Sequence, residues 1–147
     1  MGSLYDNLSI GDSVEPQVIS GSTAVNGAGV DTKGLNTAVI RARGEAASGS
    51  PTTATLTVKL QESSDNSTFA DALDNTGTVI GFTLTVTSAN AGGLARIEGL
   101  GLNRKRYLRA VVTPAFTGGT SPASVVFAEI LLGRAFTRPQ NTATSNT

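Results

Sequence analysis

A chain of 147 residues suits one domain of ordinary size, able to bury roughly two thirds of the surface its unfolded form exposes. It needs no metal or disulfide to fold, and without cysteine or histidine it has neither a disulfide framework nor the residues that build zinc, copper and haem sites. Formal charge sums to zero, so no global attraction to nucleic acid is expected. The charges are unevenly placed: residues 1–73 carry four basic and eight acidic side chains (−4), residues 74–147 seven and three (+4). Chance gives such a split in a sparsely charged chain; it also suits a subunit whose ends attract neighbours.

Gly, Ala, Ser and Thr dominate, while the residues that fill surface helices are scarce, a bias toward strands and tight turns. No stretch approaches the roughly 18 apolar residues of a membrane helix. Residues 1–13 have neither a basic region nor an apolar run, so no secretory signal is expected.

Residues 1–12 read as an N-terminal arm anchored by Leu4, Tyr5, Leu8 and Ile10. Residues 14–20 are a weak strand candidate, which Pro16 would confine to a sheet edge. Asn26-Gly27-Ala28-Gly29 is a break. Residues 37–43 alternate Ala38, Ile40 and Ala42 with Val39, Arg41 and Arg43. After a break at 44–51, residues 54–62 set Leu56, Val58 and Leu60 against Thr55, Thr57, Lys59 and Gln61, giving one buried and one wet face. Residues 63–67 read as a hairpin turn with Asx-type side-chain bonds, and 68–73 as one helical turn at most.

Alternation resumes over 78–87 with Ile80, Phe82, Leu84 and Val86. A break at 88–93 precedes a weak strand at 94–98. Gly99-Leu100-Gly101-Leu102 is a bend, with no following helix to make it a phosphate loop. Residues 106–113 place Leu108, Ala110 and Val112 opposite Tyr107, Arg109 and Val111. A break spans 114–122. Residues 124–132 are apolar enough for a strand buried on both faces. Seven or eight such strands make a β-sandwich or small barrel occupying 13–133. Residues 134–147 form a polar C-terminal arm whose one large apolar residue is Phe136. It cannot bury itself and is expected to be ordered by lying on a neighbouring molecule.

Without histidine the usual proton shuttle, and the usual base for an activated serine, is missing. Asp71 and Asp74 read as solvated turn residues rather than a catalytic pair. Ser63-Ser64-Asp65-Asn66-Ser67 lacks the spacing and closing glutamate of a calcium loop. No catalytic residue, cofactor or metal is expected, and the chain is not read as an enzyme. The strongest basic cluster is Arg104-Lys105-Arg106, with Arg109 beyond. Tyr107 alone is too little aromatic surface for a single-strand nucleic-acid groove. The cluster reads as edge charges that discourage stray strand pairing, or as an anchor for acidic groups on a partner protein.

Two blocks carry a resemblance. The run from Val58 through Lys59-Leu60-Gln61-Glu62 to Phe69, and Arg104 through Tyr107-Leu108-Arg109-Ala110-Val111-Val112-Thr113 followed by Gly118-Gly119-Thr120-Ser121-Pro122, are similar to blocks in small virion proteins of tailed bacteriophages. Over residues 30–133 the chain resembles the capsid cement, or decoration, group. That resemblance implies an all-β sandwich of jelly-roll type with extended arms. It implies a virion (capsid) protein assembled in the bacterial host cytoplasm, which stabilises the head by binding the major capsid protein. A homotrimer is expected, with monomer or dimer as alternatives; neither nucleic acid nor membrane is an expected partner. Expected docking residues are Leu4, Tyr5, Arg134, Phe136 and Arg138 on the arms and Arg104, Lys105 and Arg106 on the body. Alternatives are a tail-associated or surface carbohydrate-binding module, which the lack of Trp and the presence of only two Tyr disfavour, and a tail-tube or head-completion subunit.

Overall fold

In the computed structural model, which describes residues 7–97, 100 and 103–134, the alternating runs become ten strands. They are β1 (Leu8–Ser20), β2 (Val25–Asn26), β3 (Val30–Asp31), β4 (Thr37–Gly44), β5 (Thr53–Ser63), β6 (Ala70–Asp71), β7 (Gly81–Thr85), β8 (Ala91–Ile97), β9 (Tyr107–Thr117) and β10 (Ala123–Gly133). One antiparallel sheet has the order β1-β10-β4-β8. The other runs β2-β9-β5-β6, with β3 also on β9 and β7 also on β5. The short β2 and β3 are two halves of one interrupted strand, since Val25 pairs with Val112 and Val30 with Leu108 of the same β9. Counted so, and with the two-residue β6 set aside, eight strands lie in the orders 1-8-3-6 and 2-7-4-5. That is a jelly roll: two four-stranded antiparallel sheets wound by two Greek keys.

The core is the sum of the inward-facing alternations. Ala38, Ile40 and Ala42 of β4 and Val126, Ala128, Ile130 and Leu132 of β10 face Ala54, Leu56, Val58 and Leu60 of β5 and Leu108, Ala110 and Val112 of β9, all of them buried. The strand at 124–132 is buried on one face only, its other side chains being half-covered. Ser13 ties the two sheets together. Its buried hydroxyl accepts from the Ala110 N–H (2.8 Å) and donates to the Ala28 carbonyl (2.9 Å).

Four boundaries differ from the expectations. Residues 8–12, assigned to the arm, open β1, where Leu8 pairs with Gly133 and Ile10 with Leu131. Residues 68–73 form no helical turn; Ala70 and Asp71 pair with Glu62 and Gln61 of β5. The break at 114 is absent because β9 continues to Thr117, Pro114 pairing with Leu56. β2 ends opposite Val112, so β9 is locally an edge at Pro114, where a proline is tolerated. Finally, β8 begins at Ala91 and absorbs Gly92 and Gly93. A Cβ on Gly93 would lie 2.7 Å from the Phe82 ring, so glycine marks a close approach here rather than a turn. Pro16 does lie on an edge strand, within a register shift between Val14 and Gln17.

Candidate docking surfaces

The two ends of the described chain meet. The Arg134 N–H donates to the Asn7 carbonyl at 3.0 Å, so the two described ends lie side by side at one pole of the sandwich. Leu4, Tyr5, Phe136 and Arg138 lie outside the described residues. The loop between β3 and β4 completes this pole. Its Asn36 N–H and the Thr37 hydroxyl both donate to the Gly133 carbonyl, at 3.2 and 3.0 Å. The Arg134 Nε–H donates to the Gly34 carbonyl at 3.2 Å. On the loop's other side Thr32 donates twice to the Arg106 carbonyl, from its N–H at 2.9 Å and its hydroxyl at 2.7 Å. One loop thus holds together the base of the C-terminal segment and the basic cluster, which are far apart in sequence.

The three basic residues of that cluster have different fates. Arg106 makes a forked ion pair with Asp31, at 2.9 and 2.7 Å, and its guanidinium lies 5.1 Å from the centre of the Tyr107 ring. Arg106 and the N–H of Lys33 together hold the Asp31 carboxyl down, from an ordinary 3.8 to about 2. Arg104 is folded inward. Its side chain is only 10% exposed, pairs with Glu62 at 3.7 Å and donates to the Leu73 carbonyl. Arg104 therefore braces the turn before β9 instead of presenting a charge. The Lys105 N–H donates to Glu62 at 3.2 Å, and Lys105 itself is exposed. The cluster does not guard a sheet edge, because β9 lies between β2 and β5. Among the described residues, Lys33, Lys105, Arg106 and Arg134 are the exposed cations of the pole. Lys33 and its loop were not singled out from sequence, although Asp31-Thr32-Lys33-Gly34 carries a turn signal: Gly34 has φ 79° and Asp31 accepts from the Lys33 N–H at 3.0 Å.

The outer face of the six-stranded sheet carries a continuous polar chain. Lys59 pairs with Asp71 at 2.8 Å, Gln61 donates to Asp71 at 2.8 Å, and Arg109 donates twice to Gln61 at 3.0 and 2.7 Å. Lys59, and after it Gln61, holds the Asp71 carboxyl below its ordinary value. The Arg109 guanidinium caps the Phe69 ring at 4.1 Å. Phe69 and Tyr107, the aromatic rings beside this chain, are therefore each covered by an arginine and offer no bare stacking platform for a sugar. Asp71 and Asp74 have separate partners, Asp74 accepting from the Thr76 hydroxyl and the N–H groups of Thr76 and Thr78.

The 63–67 turn forms as the Asx turn expected. Asp65 accepts from the Ser63 hydroxyl at 2.7 Å and from the Ser67 and Thr68 N–H groups at 2.9 and 2.8 Å, and Asn66 takes the left-handed conformation at φ 58°. These donors, the Thr68 N–H foremost, lower the Asp65 carboxyl to about 2. Its oxygen serves its own backbone.

No protein-family model matches the sequence, and no curated protein matches it either. Solved structures do resemble it in fold. A chain from infectious bursal disease virus Gx strain superposes with a TM-score of 0.50 at 11% identity, over 89% of this chain and 33% of that one. This chain thus spans about a third of that viral chain. The CBM22-1 xylan-binding domain from Paenibacillus barcinonensis Xyn10C gives 0.46 at 11% identity, over 87% and 83% of the two chains. A chain of Desmodium yellow mottle tymovirus gives 0.33 at 11% identity, over 82% of each. At such identity the likeness is one of fold alone, a β-sandwich.

Proposed function

We propose that this protein is a non-enzymatic structural subunit of a virion, a cement or decoration protein that fastens a phage head by docking on the major capsid protein. The observation that carries the reading is the convergence at one pole. Both described chain ends lie there, beside a loop that gathers Lys33, Lys105, Arg106 and Arg134. Two flanking segments plus a cationic platform can engage neighbours by many modest contacts, which shell symmetry multiplies. The resemblance of residues 58–69 and 104–122 to small phage virion proteins supports the same role, and the jelly roll is compatible with it.

The test is occupancy on purified shells. Deleting residues 134–147 is expected to lower it severalfold, and Lys105→Glu with Arg134→Glu in the full-length chain is expected to lower it most at low salt, the deficit shrinking as salt rises. Undiminished binding by both variants would remove the docking pole. A glycan array with hits that Arg109→Ala strengthens, by uncovering Phe69, would favour a carbohydrate-binding module instead.

A further inference from the structure

The four-stranded sheet ends on β8, and we infer that β8 pairs antiparallel with β8 of a second copy, joining two sheets into one across a two-fold axis at Leu94. Among the described residues β8 is paired only with β4, and no other backbone bond links residues 91–97 to another described segment. Its ladder with β4 runs without a register shift from Ile97 opposite Ala38 to Ala91 opposite Gly44. The strand has no proline and a single charge, Arg96, and Leu94 stands 61% exposed on its outer face. An edge so regular and so lightly charged is a template for another strand.

The occupant follows from self-complementarity. Opposed residues in an antiparallel pair share a face, so a β8 pairing must match outward residues with outward residues. The alignment that overlaps the whole strand sets Leu94 against Leu94, Arg96 against Gly92, Ala95 against Gly93 and Ile97 against Ala91. The one exposed apolar side chain meets its own copy. The one charge meets a residue with no side chain, so like charges never oppose. Arg41, beside Leu94 in the next strand, is already tied to Glu129 at 3.0 Å. The contact is isologous, and its small area makes it a weak, concentration-dependent dimer. This inference goes beyond the virion role and does not depend on it.

Sedimentation of the full chain is expected to show a monomer–dimer equilibrium. Leu94→Lys, which sets two ammonium groups face to face, is expected to weaken the dimer about tenfold or more while the far-UV spectrum stays unchanged. The absence of native cysteine allows a clean cross-linking map. Leu94→Cys should link to itself on mild oxidation or with a short bismaleimide. Gly92→Cys and Arg96→Cys should link efficiently only to each other in a mixture. A monomer at every concentration overturns the inference, as does a trimer, which a two-fold edge contact cannot build. Equal cross-linking at all three positions overturns it too.

Discussion

β1 and β8 close the same sheet on opposite sides, and only one of them is defended. β1 breaks register between Asp12 and Val14 and again between Val14 and Gln17, carries Pro16 inside the second break, and exposes Asp12 and Glu15. Each device spoils an edge as a template for another strand. β8 has no register shift and no proline, and its one charge is Arg96. The difference is tied to what lies beneath each strand. β1 crosses the sheet-to-sheet seam at Ser13, where the bulges let one side chain reach both Ala28 and Ala110. β8 lies over Phe82, which leaves no room for a side chain at Gly93. Defence against pairing is thus a by-product of local packing as much as of exposed charge.

The contrast can be broken from its inner side first. Ile97 is 1% exposed and anchors the far end of β8. Ile97→Ala should cost about 2–5 kcal/mol in denaturant unfolding, the transfer loss plus a cavity. If the loss is small, β8 is held by its ladder rather than by its buried side chains. Ser13→Ala is expected to cost about 1–3 kcal/mol, because it strands the Ala110 N–H away from water. A loss near zero would mean that the seam under β1 is not held by that hydroxyl.

Acid tests the loops rather than either edge. Asp31 and Asp65 each fall from 3.8 to about 2 in the folded chain. A carboxyl with a depressed folded pKa contributes stability above its unfolded value and loses it as pH falls toward the folded one. Stability against unfolding should therefore be flat above about pH 5 and fall between pH 4 and 2. Both carboxyls are exposed, so salt should blunt the change. NMR titration that places either carboxyl near its ordinary value would dissociate that loop from the acid transition. The smallest effect on stability is expected at Pro16→Thr, within about 0.5 kcal/mol. It should nevertheless raise self-association by light scattering, since it restores a donor to the edge. No change in association would leave the bulges alone as the defence of β1.

The alternation of Leu56, Val58 and Leu60 against Thr55, Thr57 and Lys59 specified β5 and its faces directly, because a strand's period of two is written in consecutive residues. The same holds for β4 and for the first part of β9; β10 was legible as a strand but not in its faces, since its apolar run reads as buried on both while only one is. Pro16 as an edge marker and Asp65 as the centre of an Asx turn were legible for a similar reason: their chemistry acts within a few residues. Other features needed partners distant in sequence. Gly92 and Gly93 look like a turn until Phe82 is seen under them. Pro114 looks like a stop until β9 is seen to be unpaired on one side there. Arg104 looks like a surface charge until Glu62 and the Leu73 carbonyl enclose it. The tertiary structure alone decided the strand order, the meeting of Asn7 with Arg134, and which of the basic residues stay free, because long-range contacts set these and no local pattern encodes them.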